Sequence, residues 1–313
     1  MSKKIIIDCD PGIDDAIALC MALFDPRLNV LAINAVAGTV EADQSTNNVA
    51  SIINMLDPPR YPRIGKASAA ENAALTDDQL LHGSDGLAEC HFEPSGRQRL
   101  QPSEKVMSDL IQQHPNEVTI LCLGPLTNLA RLIRWEPKVV PLIDQIVISG
   151  GSVSHCGNAT AVAERNIHYD PVSAQTVFAS ATTKSVVPLD VTEEVRFGVE
   201  LLDQLPSPGT HVGSLLRRIL PFAYRSAHQI LGEELIPLYD PTALMSILEP
   251  DFFSWEAMAG RVEPHGEITR GMTIFDQRLR RAWPINMEVA LDVDHVEIKE
   301  AIIRSIRYAG QKS

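Results

Sequence analysis

Short runs of β-branched and other apolar residues alternate with amphipathic stretches along the first two thirds of this 313-residue chain. The runs are apolar at consecutive positions, which is typical of strands that are buried on both faces of a sheet. They cover 5–7, 30–33, 118–121, 146–148 and 185–187, and the helical stretches between them cover 14–23, 45–55, 104–112, 126–133 and 171–178. This alternation predicts an α/β fold with an open, mostly parallel sheet, helices on both faces and a Rossmann-like core.

The rest of the chain continues this pattern without a clear boundary. We predict a helix over 212–231, a strand over 287–293 and an amphipathic helix over 296–308, and we predict loops over 67–87 and 151–166. No segment is rich enough in Gly, Pro or Ser to divide the chain. We therefore expect a single domain over residues 1–313, with the active site at the carboxyl ends of the strands.

Charge, cysteine usage and hydropathy exclude several classes of function. The 40 acidic residues outnumber the 27 basic residues, and the net charge of −13 disfavours nucleic acid and favours a cation or a small polar ligand. The five cysteines are scattered and form no C-x-x-C pair, which predicts reduced thiols in a cytoplasmic protein. No apolar run is long enough for a membrane span, and the N-terminal run is too short for a secretory signal.

Four carboxylates lie close together where the first predicted strand ends and the first helix begins. They belong to Asp8, Asp10, Asp14 and Asp15. Helix capping explains one or two acidic residues at such a position. Four carboxylates repel one another unless a cation or shared protons compensate their charge, and oxygen ligands suit Ca²⁺ or Mg²⁺. The sequence therefore favours a metal site at this point.

The same segment resembles the N-terminal signature of the nucleoside hydrolases, the inosine-uridine preferring N-ribohydrolase family. It has the sequence Asp-Cys-Asp-Pro-Gly-Ile-Asp-Asp over 8–15. Further matching segments follow in the same order along nearly the whole chain, at 82–87, 123–128, 157–160, 163–166, 189–192, 240–241 and 271–273. Single segments of this kind are weak signals, and their order and spacing make the resemblance specific.

The resemblance implies a calcium-dependent hydrolysis of the N-glycosidic bond of ribonucleosides, which releases ribose and a nucleobase. Ca²⁺ would be held by Asp10, Asp15, Asp240 and the backbone carbonyl of Leu123. Asp10 would be the general base, taking a proton from a water bound to the ion. The family also forms dimers and tetramers, so the resemblance implies a homodimer or a homotetramer that acts on a small molecule in nucleoside salvage.

The resemblance also implies a set of residues around the sugar. Asp14, Asn158, Glu164 and Asn166 would bind the ribose hydroxyls, and Asp240 would contact both the ion and the sugar. Several oriented donors and acceptors around one ribose favour an oxocarbenium-like transition state. Without the resemblance, Asp240 also fits a helix N-terminus, because Pro follows it.

Several positions near the expected nucleobase and sugar differ from the better-known members. Tyr239 replaces a His that helps to protonate the departing base, and His82 lies in the loop that the family places over the base. Thr39 replaces an Asn near the ribose, Arg165 replaces an aromatic residue, and Ser149 replaces a Met. We expect His82 and Tyr239 to contact the leaving group, and Thr39 and Arg165 to contact the substrate.

Two other functions fit the same scaffold. One is a catalytically weak nucleoside-binding protein, which the loss of the His favours and the retention of Asp10 disfavours. The other is hydrolysis of a 5′-substituted ribosyl compound, because a guanidinium at Arg165 suits a phosphate or a carboxylate. A Mg²⁺ phosphohydrolase of the Asp-x-Asp type is excluded, because Pro11 and Gly12 follow Asp10 where that class has Thr or Val.

Overall fold

The computed structural model describes residues 2–71, 73–74, 79–93 and 100–313. The strands in these residues are β1 (Lys3–Cys9), β2 (Leu28–Ala35), β3 (Arg63–Lys66), β4 (Gln101–Pro102), β5 (Val118–Cys122), β6 (Gln145–Ser149), β7 (Lys184–Val187), β8 (Arg196–Phe197), β9 (Ile236–Pro237), β10 (Phe253–Met258), β11 (Gly260–Val262), β12 (Thr273–Phe275) and β13 (Met287–Val293).

The helices, also within these residues, are α1 (Ile13–Phe24), α2 (Ala42–Leu56), α3 (Gln79–His82), α4 (Ser103–Gln113), α5 (Thr127–Trp135), α6 (Arg165–Tyr169), α7 (Pro171–Ala179), α8 (Leu189–Thr192), α9 (Leu201–Gln204), α10 (His211–Ser226), α11 (Tyr239–Leu248) and α12 (His295–Lys312). None of the helices in the described part of the chain is long and apolar enough to cross a membrane.

The described strands build one large sheet and two small ones. The large sheet has nine strands in the order β10-β13-β7-β6-β5-β1-β2-β3-β4. Only the edge pair β10 and β13 is antiparallel, and the neighbouring strands from β13 to β4 are parallel. The pairs β11–β12 and β8–β9 are separate antiparallel ribbons. The predicted mostly parallel α/β sheet is confirmed.

Both faces of this sheet are buried, as the consecutive apolar residues predicted. In β1, Ile5 and Ile7 belong to the core that contains α1, α10 and α12, whereas Ile6 belongs to the core that contains α4, α5 and α7. Each of the three side chains is fully buried. Since side chains alternate across a strand, an uninterrupted apolar run supplies both cores at once.

Two predicted loops and one predicted helix differ from the structure. The loop over 67–87 contains the short helix α3, while residues 72 and 75–78 lie outside the described part of the chain. The loop over 151–166 ends two residues early, because Glu164 caps α6, which begins at Arg165. The helix over 212–231 is divided into α10 and a π-helical turn over Ala227–Leu231, which ends at Gly232 with a positive φ of 71°.

Candidate active site

The carboxyl ends of the central strands surround one cavity. It is lined by Asp10, Asp14, Asp15, Thr39, His82, Leu123, Ser149, Gly150, Asn158, Glu164, Arg165, Asn166, Leu189, Thr192, Tyr239 and Asp240. Every residue that the family resemblance assigned to the site is in this set. The residues come from loops that are far apart in the chain, and they meet because parallel strands end at the same edge of the sheet.

Asp10 is held tightly by the loops that follow β2 and β5. Its Oδ2 accepts hydrogen bonds from the backbone N–H and the hydroxyl of Thr39, at 2.7 and 3.0 Å. A Cβ atom at Gly38 would lie 2.1 Å from Oδ2, and one at Gly124 would lie 2.3 Å from Oδ1. The two glycines therefore let the backbone close on both carboxylate oxygens, which fixes the orientation of Asp10.

The contact between Thr39 and Asp10 gives a direct test of this arrangement. A Thr39→Val variant removes the hydroxyl donor and keeps the backbone donor, so we expect kcat for nucleoside hydrolysis to fall about 3- to 15-fold, equivalent to a hydrogen bond of about 0.7–1.5 kcal/mol. Thr39→Ser, which keeps the hydroxyl, should retain most of the rate. Equal rates for the Val variant and the wild type would contradict a role for this hydroxyl.

Three other carboxylates form a tight cluster beside Asp10. One oxygen each from Asp14, Asp15 and Asp240 lie within 4.8 Å of one another. Asp15 Oδ2 accepts a hydrogen bond from the N–H of Gly12 at 2.9 Å, whereas Oδ1 is buried and no donor among the described residues reaches it. Burial raises the pKa of Asp15 and of Asp240 well above the usual range, and the neighbouring negative charges raise both further.

This cluster fits a hard cation. Its donors are all oxygens, its charge is uncompensated by any described cation that contacts it, and a buried carboxylate oxygen without a donor is costly. The composition of the cluster differs from the ligand set that the resemblance implies. Asp14, which the sequence assigned to ribose, lies with Asp15 and Asp240, and Asp10 lies next to the three.

Asp8 does not belong to this cluster, contrary to the grouping of four carboxylates drawn from the sequence. It is fully buried at the end of β1, where its Oδ1 accepts a hydrogen bond from Asn128 Nδ2 at 2.8 Å. Burial raises its pKa to about 8. Asn128 also donates to the carbonyl of Ala35, so Asp8 and Asn128 join the ends of β1 and β2 to α5.

The start of α6 presents Glu164 and Asn166 to the cavity. Glu164 caps this helix and accepts hydrogen bonds from the N–H groups of Asn166, Ile167 and Gly151, at 2.9, 3.0 and 3.1 Å. Burial raises its pKa, and these bonds partly offset that effect. The Asn166 amide donates to the carbonyl of Leu123 at 2.7 Å. These contacts place both side chains and the Leu123 carbonyl beside the acidic cluster.

His82 and Tyr239 also line the cavity. His82 Nδ1 accepts a hydrogen bond from the N–H of Ile13 at 3.0 Å, and a Cβ atom at Gly12 would lie 2.7 Å from this nitrogen. The Tyr239 hydroxyl donates to Glu193 Oε1 at 2.8 Å. Burial and the Glu193 charge raise the pKa of Tyr239 far above its usual value. In this arrangement the Tyr239 proton is used in the hydrogen bond to Glu193, and the expected contact of Tyr239 with the leaving group stays a prediction.

A second cavity of about 400 Å³ adjoins the first. The two share Asp14, His82, Asn158, Arg165 and Tyr239. The second is also lined by the charged residues Glu193, Arg196 and Glu233 and by apolar residues near the end of α10. A narrow polar cavity that opens into a larger and more apolar one suits a ligand with a polar and a flat apolar part.

Comparison with known proteins identifies this arrangement. Residues 5–300 match the family model of the inosine-uridine preferring nucleoside hydrolases. The chain belongs to the nucleoside hydrolase family. It is therefore a hydrolase, and the family to which it belongs acts on N-glycosyl bonds. The resemblance seen in the sequence is confirmed.

The relatives of this nucleoside hydrolase are named for different substrate specificities. It is 30% identical to an inosine-uridine preferring nucleoside hydrolase of Leishmania major, over 99% of both chains. It is 32% identical to a non-specific ribonucleoside hydrolase, RihC, of Salmonella enteritidis PT4, over 98% of this chain and 99% of that one. The solved purine-preferring ribonucleoside hydrolase of Gardnerella vaginalis superposes with a TM-score of 0.91 at 25% identity, over 99% of this chain and all of that one.

Glu193, Arg196 and Glu233 are the residues of this nucleoside hydrolase that sequence reasoning missed. Glu193 and Arg196 are three residues apart, a spacing that by itself indicates only a local ion pair. Nothing in the sequence links them to Tyr239, because Glu193 and Tyr239 are 46 residues apart and meet only through the packing of α8 against α11.

Proposed function

We propose that this nucleoside hydrolase cleaves the N-glycosidic bond of ribonucleosides in a Ca²⁺-dependent reaction, with Asp10 as the general base. The observation that supports this proposal is the acidic cluster of Asp14 with the buried Asp15 and Asp240, beside a firmly oriented Asp10. It lies at the carboxyl ends of the strands in a chain that belongs to the nucleoside hydrolase family.

Asp10, Asp15, Asp240 and the backbone carbonyl of Leu123 would hold the ion, with Asp14 beside them. When bound, Ca²⁺ would offset the charge of these carboxylates and lower the pKa of a nearby water. Ca²⁺ suits this set better than Mg²⁺, because it accepts about six to eight oxygen ligands in irregular geometry. The buried Asp15 oxygen that lacks a donor supports the assignment.

Asp10 would take the proton of the attacking water. The water oxygen forms a bond to the anomeric carbon, the bond from that carbon to the base nitrogen breaks, and the electron pair leaves with the base. One proton of the water passes to Asp10. Two hydrogen bonds from Thr39 hold Oδ2 of Asp10, and the backbone at Gly124 lies close to Oδ1. The carboxylate is therefore fixed in orientation, which supports this role.

Asp14, Asn158, Glu164, Asn166 and Asp240 would bind the ribose hydroxyls. All five line the same cavity, and the bonds at the start of α6 hold two of them in place. Side chains that are already oriented lose little freedom on binding, so they favour the distorted sugar of the transition state.

His82 would contact the leaving base. Because its Nδ1 accepts the N–H of Ile13, the neutral ring carries its proton on Nε2. His82 lines both cavities, so this N–H donor lies where the sugar pocket meets the larger pocket. In this proposal the base occupies the larger pocket.

Arg165 favours a second candidate, hydrolysis of a 5′-substituted ribosyl compound. It lines both cavities, and its backbone N–H donates to Asn158 Oδ1 at 2.8 Å. If Arg165 binds a 5′-phosphate, an Arg165→Ala variant should raise KM for inosine 5′-monophosphate about tenfold and change KM for inosine by less than about twofold, as expected for loss of a charge-assisted pair. Arg165→Lys should give an intermediate KM. Equal changes for both substrates would contradict this role.

The proposal also includes a cytoplasmic homodimer or homotetramer. All five cysteines are free thiols, which suits a reducing compartment. Trp135, Ile268 and Leu279 are large apolar side chains that are exposed, and an interface between copies would cover such residues. Light scattering during size-exclusion chromatography gives the assembly mass directly, and the mass of a single chain would contradict an oligomer.

A ribose-release assay on the purified protein tests the proposed activity. With inosine, uridine and other common nucleosides, we expect ribose and free base in equal amounts. Calorimetry with the same nucleosides measures binding independently of ribose release. Tight binding without ribose release would identify a nucleoside-binding protein and contradict hydrolysis.

A further inference from the structure

Tyr239 is the first residue in a line of hydrogen bonds that runs along the wall of the larger cavity. Its hydroxyl donates to Glu193 Oε1 at 2.8 Å, and Arg196 donates to Glu193 Oε2 at 2.6 Å. A second nitrogen of Arg196 donates to the backbone carbonyl of Glu193 at 3.1 Å, and a third donates to Glu233 at 3.1 Å. The Glu193 side chain is only 11% exposed.

The polarity of this line follows from the number of protons. Arg196 donates hydrogen bonds and cannot accept them. Glu193 is therefore an acceptor at both oxygens, one for Arg196 and one for Tyr239. A phenol hydroxyl has one proton, and Tyr239 uses it in the hydrogen bond that it donates to Glu193. The Tyr239 oxygen can then only accept further hydrogen bonds, and the Asn158 amide is near enough to donate one of them.

We propose that Glu193 is a positioning residue that engages the Tyr239 proton, so that the Tyr239 oxygen offers the substrate a hydrogen-bond acceptor. Tyr239 lines both the sugar cavity and the larger cavity, so it borders the places proposed for the sugar and for the base. The proposal rests on the proposed function for its substrate. It deepens that function by selecting a class of leaving group, namely bases with an N–H donor on the ring that enters the larger pocket.

A Glu193→Gln variant should reverse this polarity with almost no change of shape. Gln has one carbonyl oxygen, and Arg196, as a pure donor, takes it. The Gln amide nitrogen then faces Tyr239 and donates to it, so the Tyr239 proton must turn away from residue 193 and toward another acceptor. The same phenol becomes a donor to the substrate.

Two ribonucleosides report this change. Inosine has an N–H donor on its six-membered ring, and purine riboside has only acceptors there. We expect Glu193→Gln to lower the ratio of kcat/KM for inosine to kcat/KM for purine riboside at least tenfold, mainly through KM. The intrinsic difference in reactivity between the two substrates is the same for both proteins, so it cancels when the ratio of the variant is compared with that of the wild type.

Two further variants separate positioning from a structural effect. In a Tyr239→Phe background, Glu193→Gln should leave the ratio unchanged within about twofold, because Glu193 acts through the Tyr239 hydroxyl. Glu194→Gln makes the same substitution at the next residue, which is exposed, and should keep the wild-type ratio.

The outcomes distinguish this proposal from the proposed function. If the wild type hydrolyses inosine and Glu193→Gln keeps the wild-type ratio, the positioning role is wrong and the hydrolase function stands. If the Gln effect persists in the Phe background, Glu193 does not act through Tyr239. If the wild type releases no ribose, the hydrolase function fails, and the ratio of the two dissociation constants measured by calorimetry tests the positioning role in the same way.

Discussion

An Asp10→Asn variant should hydrolyse inosine and uridine about 10²- to 10⁴-fold more slowly than the wild type, which is the usual contribution of general base catalysis. The amide keeps the shape of the carboxylate and an oxygen that can accept the two bonds from Thr39. It cannot accept the proton of water. The kcat from ribose release measures the loss, and calorimetry should show that nucleoside binding is largely kept.

The matched control for this variant is Asp8→Asn. Asp8 belongs to the same motif, and an Asn there keeps the acceptor oxygen for Asn128. Because Asp8 is not among the described residues that line the cavity, its kcat should stay within a few-fold of the wild type. A loss of only about tenfold in Asp10→Asn, equal to about 1.4 kcal/mol of barrier, would contradict the role of Asp10 as the base.

Much of the fold was predictable because burial on both faces has a direct sequence signature. A run such as Ile5, Ile6 and Ile7 is apolar at every position, and only a strand between two helical layers buries all three side chains. The site residues were found in another way. Their motifs matched a family in order and spacing, and the structure places all of them around one cavity.

The exact partners of those residues were not predictable. Asp8 and Asp10 look equivalent in the sequence, but Asp8 faces Asn128 and Asp10 faces Thr39. Which carboxylate enters the cavity depends on where β1 ends and where the turn begins. Likewise, Glu164 looked like a polar loop residue, yet it caps a helix that forms only when the chain is folded.

The donor and acceptor roles around the base were the least accessible to sequence reasoning. A Tyr in place of the usual His suggests a weak acid that donates to the leaving group. In the structure this hydroxyl donates to Glu193 instead. A hydroxyl can donate or accept, so its role is decided by its neighbour and not by its own residue type.

Removing the cation is expected to abolish turnover and to lower the melting temperature. Asp14, Asp15 and Asp240 are close together, and the latter two are buried, so without an ion their charges repel in a poorly solvated site. A ligand that binds only the native state at 100 times its dissociation constant adds about 2.7 kcal/mol to the free energy of unfolding. Exhaustive chelation should therefore lower the melting temperature by several degrees, and added Ca²⁺ should restore it.

Asp15→Asn should raise the melting temperature of the metal-free protein. The substitution removes one of the repelling charges, so the chelated variant should melt above the chelated wild type, and Ca²⁺ should raise its melting temperature much less. Asp43→Asn is the control, because Asp43 is exposed on α2 and pairs with Lys66 outside the cavity. It should show the wild-type response to chelation. An unchanged wild-type melting curve after chelation, with no Ca²⁺ in metal analysis of the purified protein, would contradict the calcium site. Shared protons would then be the means by which the repulsion among Asp14, Asp15 and Asp240 is compensated.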